Sequence, residues 1–333
     1  MAWFRGILEP VYGLVGALLA SGLVILAVGE NPLAALSVLA RGAIGSPEAI
    51  GYTLTYATSF TFAGLAVAVA FHAGLFNIGG EGQATLGGLG AGLAALALDG
   101  WPWPVVALAG TAAAAAFGAG WAFIPGWLQA RRGSHIVITT IMFNFIASAL
   151  FTWLLVEVLI APGGQAPESR SFSNSGWLPA FGLRDSPLNL SALLALLCAG
   201  AVWVLLWHTR WGYALRVVGQ NRRAAVYAGL SPERTIVGAM LLSGALAGLI
   251  GVNEILGVQH RLLLNFTGGA GFVGIAVALM GRNHPLGVVL AALLFGALAQ
   301  GGSELAFEFS TINRELVVVI QGLIVLFAAM ARR

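Results

Sequence analysis

Apolar residues run through this chain in long blocks, each near the roughly 20 residues that an α-helix needs to cross a bilayer. Polar residues gather in short stretches between them. The blocks fall at 11–29, 50–71, 78–98, 104–127, 136–160, 190–208, 235–252, 268–281, 285–303 and 314–330. They lack the alternation of a transmembrane barrel strand. The pattern therefore predicts an all-α polytopic bundle of about ten spans, arranged as two pseudo-repeated halves and including short, glycine-broken helices. Residues 1–333 read as a single transmembrane domain with a cytoplasmic loop at 209–234. The loop 163–189, rich in Ser, Asn and Gly, holds no separate folded domain.

Composition sharpens this picture. Charged residues make up 9% of 333 residues and hydrophobic ones 59%, too little polar surface to coat a soluble particle of this size. The first 30 residues resemble a signal peptide in charge and apolarity, but they read as a retained first span, with Pro10 and Tyr12 as interfacial residues. The single cysteine, Cys198, reads as a small buried hydrophobe.

All 16 basic residues are arginine. Without lysine the phosphate-binding loop GxxxxGK[ST] cannot be written, so ATP chemistry has to come from a partner. With the N-terminus inside, ten crossings put Arg5, Arg131, Arg132, Arg210, Arg216, Arg222, Arg223, Arg234, Arg282, Arg332 and Arg333 on the cytoplasmic side. Arg41, Arg170, Arg184, Arg261 and Arg314 fall outside. This split follows the positive-inside rule. It requires the short block 268–281 to count as a crossing, and it places both termini in the cytoplasm. Trp101, Trp103 and Trp177 in the outer loops suit headgroup depth.

Two segments break the apolar pattern with glycine: Gly79 to Gly92, and Gly268 to Gly281. Short broken segments in corresponding halves are expected around a transporter's substrate pathway, and unwound backbone at membrane depth has to line a cavity or lie under protein. The candidate pathway residues are Phe76, Asn77, Glu81, Gln83, Asn144 and Phe272. Glu81 is the sharpest of them. A carboxylate at hydrocarbon depth has to be neutral, hydrogen-bonded to neighbours such as Gln83 or Asn77, or in contact with a wet cavity. Ligand contact and a structural hydrogen-bond knot both fit it. For Asn144 an interhelical bond is the simpler reading. Asn253 and Glu254 at a span end raise the same question.

The stretch "RWGYALRVVGQNRRAAVYAGLSPERT" carries different punctuation. Gly219 and Asn221 end one structure and cap another, "RRAAVYA" makes a short helix, and Gly229 stops it. Ser231, Pro232 and Glu233 then open the next helix. A positive loop that only sets topology and touches anionic lipid needs charge alone. This loop also specifies a shape, and Asn221, Arg222, Arg223, Tyr227, Ala228, Gly229 and Glu233 are its candidate docking residues.

Catalytic signatures are missing. Asp99 and Asp185 lie in loops, the histidines are scattered, and neither HExxH nor GxSxG occurs. No catalytic residue, metal, cofactor or nucleic-acid partner is expected.

Four runs carry a resemblance: "GLAVAVAFHAGLFNIGGEGQ" (64–83), "HIVITTIMFNFIAS" (135–148), "GYALRVVGQNRRAAVYAGLSPER" leading into "LSGALAGLIG", and "GFVGIAVALMGRNHPLGVVLAALLFGAL" (271–298). Together they resemble permease subunits of ABC importers for branched-chain amino acids, simple sugars and nucleosides, closest to the nucleoside-type branch. The resemblance implies a cytoplasmic ATPase subunit, a second permease subunit, an extracytoplasmic solute-binding protein and a bacterial inner-membrane setting. It also implies that the short helix in Asn221 to Gly229 docks in a groove of the ATPase. From the residues alone, an ion-coupled carrier using Glu81, Glu157, Glu254 or Glu304 remains an alternative, and a membrane enzyme is a weaker one.

Overall fold

The computed structural model describes residues 15–16, 19–181, 183 and 186–330. Arg5, Pro10, Tyr12, Arg184, Asp185, Arg332, Arg333 and both chain ends lie outside the described residues. Among those described, the secondary structure is helical except for two isolated antiparallel bridges, Glu168 with Leu263 and Ala180 with Asn189.

The chain divides into two compact units. The smaller one comprises 1–57, 183–186 and 293–333. In it α1 (Leu19–Ala27) and α2 (Pro32–Ile44) form a pair bent by 113°. The bend has local causes: Gly29 sits at φ 92°, Asn31 caps α2 by accepting the Leu33 N–H at 2.9 Å, and Pro32 opens the helix. Ile25, Ala35 and Val38 pack there with Leu305, Ile312, Val317 and Ile320, joining α1 and α2 to the end of α12 (Pro285–Glu308) and to α13 (Arg314–Met330).

The larger unit comprises 58–182 and 187–292. Following α3 (Pro47–His72) come α4 (Gly80–Ala97), α5 (Trp103–Arg132) and α6 (Ile136–Glu157). Next are α7 (Ser191–His208), α8 (Arg210–Gln220), α9 (Arg222–Tyr227), α10 (Pro232–Gly248) and α11 (Ala270–Met280). α10 continues into a π-helical stretch, Val252–Gln259. Helix α4 is mostly buried, and beyond its first two turns it is apolar all round, which suits a central position. It packs against α5 and α10 through small residues. A Cβ on Gly118 of α5 would collide with the Gly244 carbonyl of α10, and one on Gly87 of α4 with Gly248. Backbones approach this closely only where the side chain is absent. By contrast Leu108, Ile138 and Leu197 are largely exposed, the apolar outer surface of a protein solvated by lipid.

Among the described residues six helices are long and apolar enough to cross a membrane, or up to seven if the bent pair is one span. This is fewer than the ten expected blocks. The clearest difference lies at 268–281, where α11 has 11 residues. At about 1.5 Å per residue, they rise about 16 Å, half of a ~30 Å hydrocarbon core. The irregular backbone of 260–269 precedes it.

Two loop regions tie the ends of these helices. Arg131 at the end of α5 pairs with Glu233 at the start of α10, 3.0 Å apart. On loops that the charge pattern assigns to the other side, Arg170 pairs with Asp99 and Arg261 with Glu168. Trp177 also stacks on His260 there, with ring centroids 4.0 Å apart.

Candidate functional site: a cavity at two broken helices

The connection from α3 to α4 leaves regular structure at Ala73–Gly79, so its backbone groups need other partners. Side chains supply them. Asn77 Oδ1 accepts the Gly79 N–H at 2.9 Å, Thr140 Oγ1 of α6 accepts the Ile78 N–H at 3.3 Å, and Asn144 of the same helix spans the break. Its Oδ1 accepts the Gly82 N–H at 2.9 Å and its Nδ2 donates to the Ile78 carbonyl at 2.9 Å. Gly79, at the N-cap of α4, has no side chain to cap with. Asn144 performs that function from a neighbouring helix.

Asn77 and Gln83 form a reciprocal amide pair. Asn77 Nδ2 donates to Gln83 Oε1 at 3.0 Å, and Gln83 Nε2 donates back to Asn77 Oδ1 at 3.2 Å. Asn77 Nδ2 also donates to Ser243 Oγ of α10 at 2.9 Å, and that hydroxyl donates to the Ala66 carbonyl of α3 at 2.7 Å. Both amides are only 1% exposed. This knot joins α3, α4 and α10, and it does not include Glu81.

Of the readings open to Glu81, a bond to Gln83 or Asn77 does not occur, whereas contact with a cavity does. The amides satisfy each other, and the Glu81 carboxylate turns to the other broken segment. Its Oε1 accepts the Thr267 hydroxyl at 2.5 Å and the Gly269 N–H at 3.1 Å. Its Oε2 accepts the Gly271 N–H at 2.9 Å. Gly269 is the N-cap of α11, in the left-handed region at φ 85°. Glu81 thus sits where an isolated helix start presents unpaired N–H groups and a positive dipole end. All three partners donate, as the acceptor-only oxygens of a carboxylate require.

Beside this junction lies a cavity of about 450 Å³. Its polar lining comes from Glu81, Thr85, Asn144, Ser148, Thr152, Asn265 and Thr267, and its rings from Phe145, Phe151, Phe266 and Phe272. Of the expected pathway residues, Glu81, Asn144 and Phe272 line it. Asn77 and Gln83 lie in the amide knot, and Phe76 packs edge-on against Phe71, ring centroids 5.2 Å apart. The hydroxyls and Asn265 went unread because single Ser and Thr residues are ordinary in apolar helices. One local signal was available for Asn265: an Asn two residues before Thr-Gly-Gly, in the run Asn265-Phe266-Thr267-Gly268-Gly269, is turn chemistry, and Asn265 does adopt φ 56°.

A second polar cluster surrounds Asn253. Its Oδ1 accepts from Ser191 Oγ at 2.7 Å and Asn189 Nδ2 at 3.1 Å. Its Nδ2 donates to Ser59 Oγ at 2.8 Å, and Ser59 donates to Glu254 Oε1 at 2.7 Å. It ties the π-helical stretch to α3 and α7.

In the loop 209–234, Asn221 Oδ1 accepts the N–H groups of Arg223 and Ala224 at 3.0 and 3.1 Å, capping α9. Ala225 is buried, while Arg222, Arg223, Ala228 and Gly229 are exposed and Tyr227 is 93% exposed. Gly229 sits at φ 76°, and Pro232 opens α10 with Ser231 as its cap. The break expected at Gly219 does not occur. Helix α8 runs through to Gln220, and the missing side chain serves contact instead: a Cβ on Gly219 would strike the His72 carbonyl. Helix α8 thereby lies directly on the connection that leads to Glu81. His72 Nε2 donates in turn to the Asn283 carbonyl in the turn after α11, 3.0 Å away.

Comparison with known proteins agrees with a transport role. Residues 49–329 match the family described as branched-chain amino acid transport system / permease component. A guanosine ABC transporter permease protein of Bacillus subtilis is 39% identical over 97% of this chain and 93% of its own length. A glucose ABC transporter permease protein of Haloferax volcanii is 36% identical over 96% of this chain and 86% of its own. A nucleoside ABC transporter permease protein of Lactococcus lactis is 33% identical over 98% and 91%. No solved structure matches the chain. With the family model covering 49–329, this chain belongs to the branched-chain amino acid transport system / permease component family.

Proposed function

We propose that this chain is the transmembrane permease subunit of an ATP-driven ABC importer and that its pathway carries a nucleoside. The cavity at the two broken helices carries this reading, because it sets four phenyl rings beside hydroxyl and amide groups. A nucleobase offers a flat face for stacking, worth about 1–3 kcal/mol per base on aromatic side chains, and its sugar offers hydroxyls. The guanosine and nucleoside permeases among its relatives support the same choice.

In this reading residues 1–333 act as one permease domain in a bacterial inner membrane, with both termini cytoplasmic. A separate ATPase subunit hydrolyses ATP, a second permease subunit completes the pathway, and an extracytoplasmic binding protein delivers solute. Helix α9 is the ATPase contact. It presents Arg222, Arg223, Tyr227, Ala228 and Gly229, while Glu233 is held by Arg131. The route from this helix to the cavity runs through α8, the Gly219 contact with the 73–79 connection, and the start of α4.

A sugar permease is the second reading, favoured by the Haloferax volcanii relative. Reconstitution with the three partners separates the two. ATP-driven uptake of guanosine that exceeds uptake of glucose and leucine supports the nucleoside assignment, and preferred uptake of either competitor overturns it.

A further inference from the structure

Helix α11 begins against the start of α4, and broken helices in transporters ordinarily aim their N–H groups at an anionic part of the solute. Here those donors are already taken. The Gly269 and Gly271 N–H groups and the Thr267 hydroxyl all point to the carboxylate of Glu81. Among the described residues lining the cavity, Glu81 is also the only one with an ionisable side chain. The cavity thus holds one fixed carboxylate and no arginine or histidine to balance an incoming anion.

We propose that Glu81 is a specificity-determining residue: a built-in anion that fills the anion site of the broken helix and restricts the cavity to uncharged or cationic solutes. A phosphate or carboxylate group entering this space meets like charge at low dielectric and finds the helix start occupied. Nucleosides are admitted. Nucleotides, whose phosphate makes them net anions, are refused. The inference rests on the cavity being part of the solute pathway.

The test uses the assembled importer in nanodiscs without the binding protein, so that only the permease selects. Saturation-transfer NMR with guanosine and guanosine 5′-monophosphate reads binding directly. In the parent, guanosine binds at least about tenfold more tightly than the nucleotide, and tenfold is the expected scale for one charge contact. Replacing Glu81→Gln removes the charge and brings the two ligands to within a few fold of each other. A second variant, Ser148→Arg, leaves the three bonds to Glu81 intact and adds a cation to the lining, so it should also admit the nucleotide even if Glu81→Gln fails to assemble. Equal binding of both ligands by the parent, or continued refusal of the nucleotide by both variants, overturns the charge filter. If the parent binds neither ligand while ATP-driven guanosine uptake persists, the cavity is not the pathway, and the filter falls with it while the importer assignment stands.

Discussion

The carboxylate of Glu81 accepts the backbone N–H of Gly271 at 2.9 Å across 190 residues of sequence. This bond joins the start of α4 to the start of α11, so the two interrupted helices meet at one side chain. Because the partners are backbone groups of a helix start, the junction orients α11 as well as satisfying Glu81. Any shift of α4 is felt at the edge of the cavity.

Replacing Glu81→Ala removes the acceptor for two backbone N–H groups and one hydroxyl. Each orphaned donor costs about 1–3 kcal/mol where water cannot replace the partner. The variant should unfold earlier than the parent in thermal denaturation in nanodiscs. Glu81→Gln keeps one acceptor oxygen and should fall between the two. Equal stability of all three forms would show that the junction is not structural.

Helix α9 should transmit ATPase closure, since coupling requires a contact that differs between states. Ala228→Trp adds bulk at an exposed position and should block close approach of an ATPase groove. The double variant Arg222→Glu and Arg223→Glu should weaken the same contact by reversing charge. Both should insert normally yet lose ATPase copurification or stimulated ATP hydrolysis. Parent-like transport by both variants reduces the loop to a topology signal.

Purified to homogeneity without partners, the chain should neither bind nor hydrolyse ATP, because no lysine-bearing phosphate loop can be formed from its sequence. Titration with a fluorescent ATP analogue and a phosphate-release assay check this. ATPase activity that copurifies with the single chain through successive columns contradicts it.

The loop contact between Asp99, Arg170 and Ser173 should respond to acid. Hydrogen bonds from Ser173 and the Arg170 guanidinium hold its carboxyl at about 2, below its ordinary value. A depressed carboxyl stabilises the fold above its unfolded value, near 3.9, and that contribution is lost as pH falls from there through about 2. Protection of the Ser173 amide, which donates to Asp99, measured as its exchange rate against that of an unstructured peptide at the same pH, should fall over this window in the parent. In Asp99→Asn that fall should be absent.

Much of this was legible in the sequence. The apolar blocks foretold helices, and glycine next to polar residues marked both broken segments. The caps at Asn221 and Ser231 were readable because capping is local chemistry. What could not be read was pairing over distance. For Glu81 the sequence offered Gln83 and Asn77 as nearby partners beside a neutral form or a wet cavity, but those two amides face each other and leave it to Gly269 and Gly271. Gly219 looked like a break because a glycine's sequence does not distinguish a bend from a close contact; the His72 carbonyl decides for contact. The block at 268–281 is already short in the sequence, and Gly268 and Gly269, both at positive φ, shorten its helix further by delaying α11 until Ala270.

The central claim is that the cavity beside Glu81 lies on the solute path, and cysteine accessibility tests it most directly. With Cys198 replaced by Ser, the variant Ser148→Cys carries one thiol, in the cavity lining. A membrane-impermeant thiol reagent should modify it and stop ATP-driven guanosine uptake, and guanosine present during labelling should slow the modification. Complete labelling, verified by intact mass, with unchanged uptake and no protection by guanosine would contradict the account.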